Sequence, residues 1–324
     1  MYKFNKKILF LMLMIMSTIM IMSSTSWISM WVGMEINMMS TIPFISSVKS
    51  KEMSEKTMMY FMIQVLGSIL LLTMVLIKNM LINMTINNML ITLSMMIKLG
   101  VPPFHMWMPE MFNKMSWMTI MVMITVQKIN PLIVTMQVLE KNMLIPMIMI
   151  MSATIGSISG VNQVSLNKIM AFSSINHMSW IMMCMMMKND SWMKYFIVYT
   201  MITATICVLF SKSMTFYINQ LSNNSNTVNK IMMLVMMLNL GGMPPLPGFI
   251  LKWMTMEYMV TSNMYSVMIM MLMSSMITLL FYMRLTYKNM MLSSMNIKFF
   301  IKKINNYSYT LFMMNMFMPL IMLI

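Results

Sequence analysis

Five residues that can carry a proton sit inside long apolar runs. They are Glu35 in WVGMEINMMS, Lys98 in ITLSMMIKLGVPPF, Lys128 in TVQKINPL, His177 in AFSSINHMSW and Lys252 in LPGFILKW. A charge at the bilayer centre costs about 2.5–3.5 kcal/mol even on the most lenient insertion scale, so each of them needs a partner or water. Burial disfavours a charged ammonium and a nearby carboxylate restores it, so buried lysines with a carboxylate among them can pass protons if their pairing alternates. Glu35 is the acid well inside a span and the natural counter-charge for a buried lysine. Lys128 stands beside Gln127 and three residues before Pro131, whose missing N–H disturbs a helix. Blander roles stay open. Lys98 could snorkel to a headgroup, and His177, beside Ser173, Ser174 and Ser179, could be a hydrogen-bonded structural residue as well as a relay. His105 in PPFHMW reads as structural; Glu110, Glu140, Asp190 and Glu257 read as solvated charges at loop ends.

Two of the lysines flank interruptions. Ile91–Phe112 is long enough to cross a bilayer yet carries Gly100 and Pro102–Pro103; Leu240–Lys252 reads LGGMPPLPGFILK. Proline removes a donor and crowds the preceding turn, so each helix is expected to break near Gly100–Pro103 and Gly241–Pro245. Freed carbonyls in hydrocarbon must be satisfied by protein or water, so broken helices survive where they line a cavity. A lysine beside such a break points to an ion path.

The elements that position these residues are membrane helices. Of 324 residues 59% are hydrophobic and 9% charged, and mean hydropathy is +0.76; soluble domains carry about 25% charged residues. The net charge of +15 is spread thinly between apolar runs, which excludes a nucleic-acid-binding patch. Cys184 and Cys207 lie in apolar segments with no metal or disulfide spacing. The 65 methionines are scattered through every span and read as apolar filler rather than soft metal ligands. The basic MYKFNKK before Ile8–Met22 suggests a signal peptide, but no small-residue cleavage site follows, so the run reads as a retained helix.

Spans of about 20 residues cross the hydrocarbon. Eleven are expected, roughly at 7–25, 27–46, 55–78, 88–112 (broken), 115–138, 143–160, 166–187, 191–216, 229–259 (broken), 263–288 and 307–324. The fold class is an all-α polytopic membrane protein, one transmembrane domain over 1–324. With sides alternating, fifteen of the 22 basic residues fall on the N-terminal side, four on the other, and Lys98, Lys128 and Lys252 within spans. The positive-inside rule then puts the N-terminus inside and the C-terminus outside.

Pro244–Pro245 follow Pro102–Pro103 by 142 residues, and the same offset carries Glu35 onto His177. Spans one to five thus map onto six to ten: repeat one about 7–138, repeat two about 143–288, and an unpaired C-terminal helix at 307–324. A five-helix repeat must insert its second copy inverted, the plan of secondary transporters.

The stretches KLGVPPFHMWMPE, QKINPL, GVNQVSLNKIMAFSSINHMSW and LNLGGMPPLPGFILKW, in that order between Trp27 and Arg284, resemble the NADH dehydrogenase subunit 2 family. These are antiporter-like membrane subunits of mitochondrial complex I, NADH:ubiquinone oxidoreductase. The last forty residues carry no motif of the family. Eleven spans match the animal form, which is similar to a bacterial subunit shortened by three helices, and the methionine excess suits an insect-like mitochondrial code. The resemblance implies that Glu35 belongs to an input half-channel and pairs with Lys98. It makes Lys128 the central-axis lysine and Lys252 the lysine leading to the exit side, where related subunits can carry glutamate. It also implies a proton-translocating subunit in the mitochondrial inner membrane, N-terminus in the matrix and C-terminus in the intermembrane space. Its expected partners are other membrane-arm subunits, neighbouring antiporter-like and supernumerary ones among them, and phospholipids, with no nucleic acid. No flavin, iron–sulfur, nucleotide or quinone motif appears, so NADH, FMN, iron–sulfur clusters and ubiquinone are expected in other subunits. A stand-alone cation/proton antiporter shares the fold, but no Asp pair or polar cluster for a metal cation is evident. A scaffold whose lysines merely snorkel fits poorly with their mid-span positions.

Overall fold

Apolar stripes on several helices point away from the protein. On α1 (Tyr2–Ser23) the exposed positions include Leu9, Met12 and Met16; on α3 (Lys51–Ile77) Met58, Met62, Leu66 and Ile69; on α13 (Tyr265–Ser294) Met273, Met276 and Leu280. Helical spacing of large exposed apolar residues is an inside-out pattern that hydrocarbon, not water, satisfies. The structure, a computed structural model, describes residues 2–46, 50–77, 84–139, 144–187, 191–222, 227–294 and 313. Among them the chain is helical, with one isolated bridge, Ser165–Tyr217, and no strand. Among the described residues six helices are long and apolar enough to cross a membrane. The expected span at 307–324 lies outside the described residues but for Met313.

The helices form two units, Met1–Met115 with Val122–Asn142, and Ser116–Met121 with Met143–Ile324. In the first, α1, α2 (Trp27–Ile45), α3, α4 (Met84–Leu99) and α7 (Val126–Val138) pack around Ile21, Met34, Leu71, Met95 and Val134. The short α5 (Trp107–Phe112) lies against α3. Lys114 pairs with Glu52, and Lys56 donates to the Asn113 carbonyl, tying the start of α3 to the end of α5.

In the second unit α9 (Leu166–Met186) is buried on all sides. It packs against α8 (Leu144–Val161), α10 (Ser191–Ser213) and α12 (Pro247–Thr261). A helix without a polar face belongs in an interior, and this one is the centre of its unit. Two further ties close the unit: Trp117 Nε1, on α6 (Trp117–Ile124), donates to the Thr215 carbonyl at 2.9 Å, and the Arg284 guanidinium to those of Val161 and Gln163. Two helices overrun their expected ends. α3 starts at Lys51 rather than 55 and α13 reaches Ser294 rather than 288, since a helix satisfies its own backbone and can continue past the apolar boundary.

The two interruptions share one local structure. α4 ends at Leu99 and α11 (Thr227–Gly241) at Gly241, followed by Gly100 at φ +68° and Gly242 at φ +76°. Gly100 N–H donates to Ile97 O and Val101 N–H to Met96 O; Gly242 N–H donates to Asn239 O and Met243 N–H to Leu238 O, all at 3.1–3.3 Å. This is the paired-bond helix ending that a left-handed residue completes. Both Pro-Pro bonds are cis. The helices therefore end before the prolines, not at them. A residue preceding proline is held out of the α region, so Val101 and Met243 cannot be helical, and the glycine supplies the reversal.

The second interruption is pinned more tightly. Asn239 Oδ1 accepts from Gly248 N–H at 2.7 Å, and a Cβ on Gly248 would fall 1.8 Å from the Asn239 carbonyl oxygen. Gly248→Ala is therefore expected to prevent α12 from docking on α11. Gly100→Ala is expected to be milder, about 1–2 kcal/mol for the left-handed backbone plus whatever shift of the Trp107 ring a Cβ at 3.1 Å requires. Immunoblots of the assembled subunit and its melting temperature check both: loss of assembly for the first, a lowered transition for the second.

Candidate functional site

Lys98 occupies the last turn of α4 and is 8% exposed. A cation is favoured at a helix C-terminus, where the carbonyls gather negative potential. Its ammonium lies 3.8 Å from the Met34 Sδ, and its own carbonyl accepts from Gln64 Nε2 at 3.3 Å. Gly67 makes room for the stem: a Cβ there would stand 2.9 Å from Lys98 Cγ. Glu35, half-buried on α2, is close enough for its charge to act on Lys98 but makes no direct ion pair with it.

Lys128 is 2% exposed on α7. α7 runs through Pro131, and the disturbance lies six residues before it: Thr125 leaves helical geometry (φ −100°, ψ −81°), and Lys128 N–H reaches back to the Thr125 carbonyl at 3.2 Å. Gln127, whose own carbonyl Pro131 cannot serve as a donor, anchors a side-chain network. Its Nε2 donates to Asn37 Oδ1 at 3.0 Å, its Oε1 accepts from the Tyr60 hydroxyl at 3.2 Å, and Thr41 Oγ1 donates to Tyr60 at 3.3 Å.

A cavity of about 30 Å³ joins the two lysines. Asn37, Gln64, Gln127, Asn130 and Trp107 share its wall with Lys98 and Lys128. That volume holds about two waters, and the wall is polar enough to keep them.

In the second unit Lys252 is 4% exposed and donates to the Gly241 carbonyl at 2.8 Å, capping the end of α11. Its stem lies over Gly242, and its ammonium is 5.9 Å from the Trp180 ring centre. A carbonyl freed at the break is thus satisfied by the lysine itself. His177, buried on α9, shares a 3.0 Å hydrogen bond with the Tyr195 hydroxyl and packs its ring on Tyr199 at 4.8 Å. Ser173, Ser174 and Ser179 turn to the carbonyls of Met170, Ala171 and Asn176 on their own helix, the usual fate of hydroxyls on helices.

The structure thus brings Lys98 and Lys128 to one cavity with Glu35 nearby, and sets Lys252 and His177 against or within α9. Gln64 and Asn130 join the site from sequence positions not singled out above, although a carboxamide inside an apolar span is itself a signal. Tyr195, Tyr60 and Trp180 carry none, because aromatics are ordinary core residues. No three His, Cys, Asp or Glu side chains converge as a metal-holding group among the described residues.

Helices interrupted beside buried lysines define an antiporter-like membrane protein. Residues 24–278 match the family described as NADH:quinone oxidoreductase/Mrp antiporter, TM. NADH-ubiquinone oxidoreductase chain 2 of Locusta migratoria is 35% identical over 294 residues, 89% of this chain and 86% of that one. The chain belongs to this family, among the NADH-ubiquinone oxidoreductase chain 2 proteins. Its fold is that of a chain in respiratory complex I from Thermus thermophilus, with a TM-score of 0.83 at 16% identity over 98% of this chain and 79% of that chain. A chain of the Mrp complex from Dietzia sp. DQ12-45-1b gives 0.76 at 14% identity, covering 85% of this chain and 59% of that chain.

Gly67→Ala is expected to displace the Lys98 stem without adding a polar group. A complex carrying it should assemble normally and lose coupled NADH oxidation to the degree that Lys98→Met does; unchanged activity would show that the stem has slack.

Proposed function

We propose that this chain is a core membrane-arm subunit of respiratory NADH:ubiquinone oxidoreductase and contributes to translocating protons across the mitochondrial inner membrane. Electron transfer from NADH to ubiquinone, with FMN and iron–sulfur clusters, belongs to other subunits. The observation that carries the reading is the polar cavity shared by Lys98 and Lys128 inside an apolar helical unit. Two ammonium groups on one small wet cavity disfavour being charged together, so a proton on one lowers the affinity of the other. Glu35 then acts on the input side through Lys98, Lys128 is the central loading site, and Lys252 leads to the exit side. His177 serves the same path within the second unit.

Eleven spans in a five-plus-five inverted repeat, with a further C-terminal helix, complete the reading. Its support is the identical glycine-ended interruption at a spacing of 142 residues. The ties Glu52–Lys114, Trp117–Thr215 and Arg284–Val161 each join ends that strict alternation puts on one side, the side rich in lysine. That side is the matrix, and the C-terminus faces the intermembrane space. The partners are the adjoining membrane-arm subunits, antiporter-like and supernumerary, and phospholipids. The Mrp-like fold also supports a second reading, a cation/proton antiporter working alone.

Two measurements test this. The chain should leave the membrane within a large NADH-oxidising assembly, and ion flux from the isolated chain would favour the second reading. Lys128→Met should assemble yet pump fewer protons per NADH oxidised. Lys128→Arg should fail as well, because a guanidinium does not release its proton. Wild-type pumping by Lys128→Met would remove Lys128 from the path.

A further inference from the structure

Asn130 is fully buried, and neither its Nδ2 nor its Oδ1 meets a protein partner. The same holds for the indole N–H of Trp107, 6% exposed. Both side chains line the cavity that Lys98 and Lys128 share, one from α7 and one from α5. The Trp107 edge that carries Nε1 lies over Gly100, at the end of the helix that bears Lys98. A buried carboxamide without partners is a liability that an apolar side chain of the same shape would remove. The other carboxamides on this wall are committed: Gln127 to Asn37 and Tyr60, Gln64 to the Lys98 carbonyl.

We propose that Asn130 is a positioning residue for proton passage, holding together with Trp107 the water that links Lys98 to Lys128. A carboxamide offers two donors and an acceptor, an indole one donor, so together they can orient a short water file in a cavity of this size. Asn130 does not act on Lys128 directly. Residues two apart on a helix do not face each other, and Lys128 and Asn130 flank the Gln127–Pro131 face from its two sides. Its effect travels through water. The inference rests on the reading of Lys128 as a proton carrier.

Threonine and valine have nearly the same shape and differ by a hydroxyl against a methyl. Complexes carrying Asn130→Thr and Asn130→Val are therefore compared with wild type and Lys128→Met for melting temperature, NADH oxidation and protons pumped per NADH. The threonine complex is expected to retain most of the pumping. The valine complex should melt no lower than the threonine complex, yet its coupled turnover should fall by roughly ten- to a hundredfold, the scale of a misplaced reacting group. Equal behaviour of the two variants, whether both active or both inactive, overturns the role of Asn130. If they behave equally while Lys128→Met is inactive, only Asn130 leaves the path. If Lys128→Met itself pumps like wild type, the reading of Lys128 fails instead.

Discussion

Backbone polar groups inside hydrocarbon must find partners within the protein, and most of the architecture follows from how this chain meets that demand at two interrupted helices. At each, a left-handed glycine lets two N–H groups turn back onto the last carbonyls. One further carbonyl at each is served by a side chain from elsewhere: Gln64 donates to Lys98 O, and Lys252 to Gly241 O. The interruption creates a demand for donors at membrane depth. Lysine and carboxamide side chains answer it, and they are also the groups through which a proton can move.

The two lysines beside the interruptions are held differently. Lys252 donates directly to a carbonyl at the negative end of α11, a charged hydrogen bond of the kind that contributes about 1.5–3 kcal/mol. Lys98 sits at the equivalent end of α4 but meets a thioether and the more distant charge of Glu35. Its ammonium has weaker direct partners and shares a cavity with a second lysine. Lys252 has a fixed seat. Lys98 has a field and a cavity beside it, which suits a group whose proton must leave.

Much of this was legible in the sequence because the rules involved are local. Apolar runs marked the helices, Gly–x–Pro–Pro marked both interruptions, and charges in apolar runs marked the lysines and Glu35. What stayed hidden depends on neighbours brought together by packing. The ends at Leu99 and Gly241 follow from glycine rather than from proline, which the residues after them only enforce. The turn to Thr125 arises six residues before Pro131. The serines beside His177 each bond the carbonyl three residues back on their own helix, a local alternative that any helical hydroxyl has. Tyr195, a hydrogen-bond partner of His177, sits on another helix in a sequence with nothing to mark it.

The methionines show where a reading by composition was too coarse. As apolar filler they do make up the core, Met34 and Met95 among them. Yet the Met34 sulfur faces the Lys98 ammonium at 3.8 Å, the Met14 sulfur stands at the same distance from Gln127 Nε2, and the Met236 sulfur from Thr205 Oγ1. A thioether is a weak acceptor on a flexible, polarizable chain, so it can line a polar site without fixing a proton there as a carboxylate would. Leucine in its place would offer no acceptor, and asparagine or serine would demand partners of its own. Met34, Met38, Met108 and Met123 accordingly line the cavity that Lys98 and Lys128 share, side chains dry enough for the bilayer and soft enough to accommodate a charge that comes and goes.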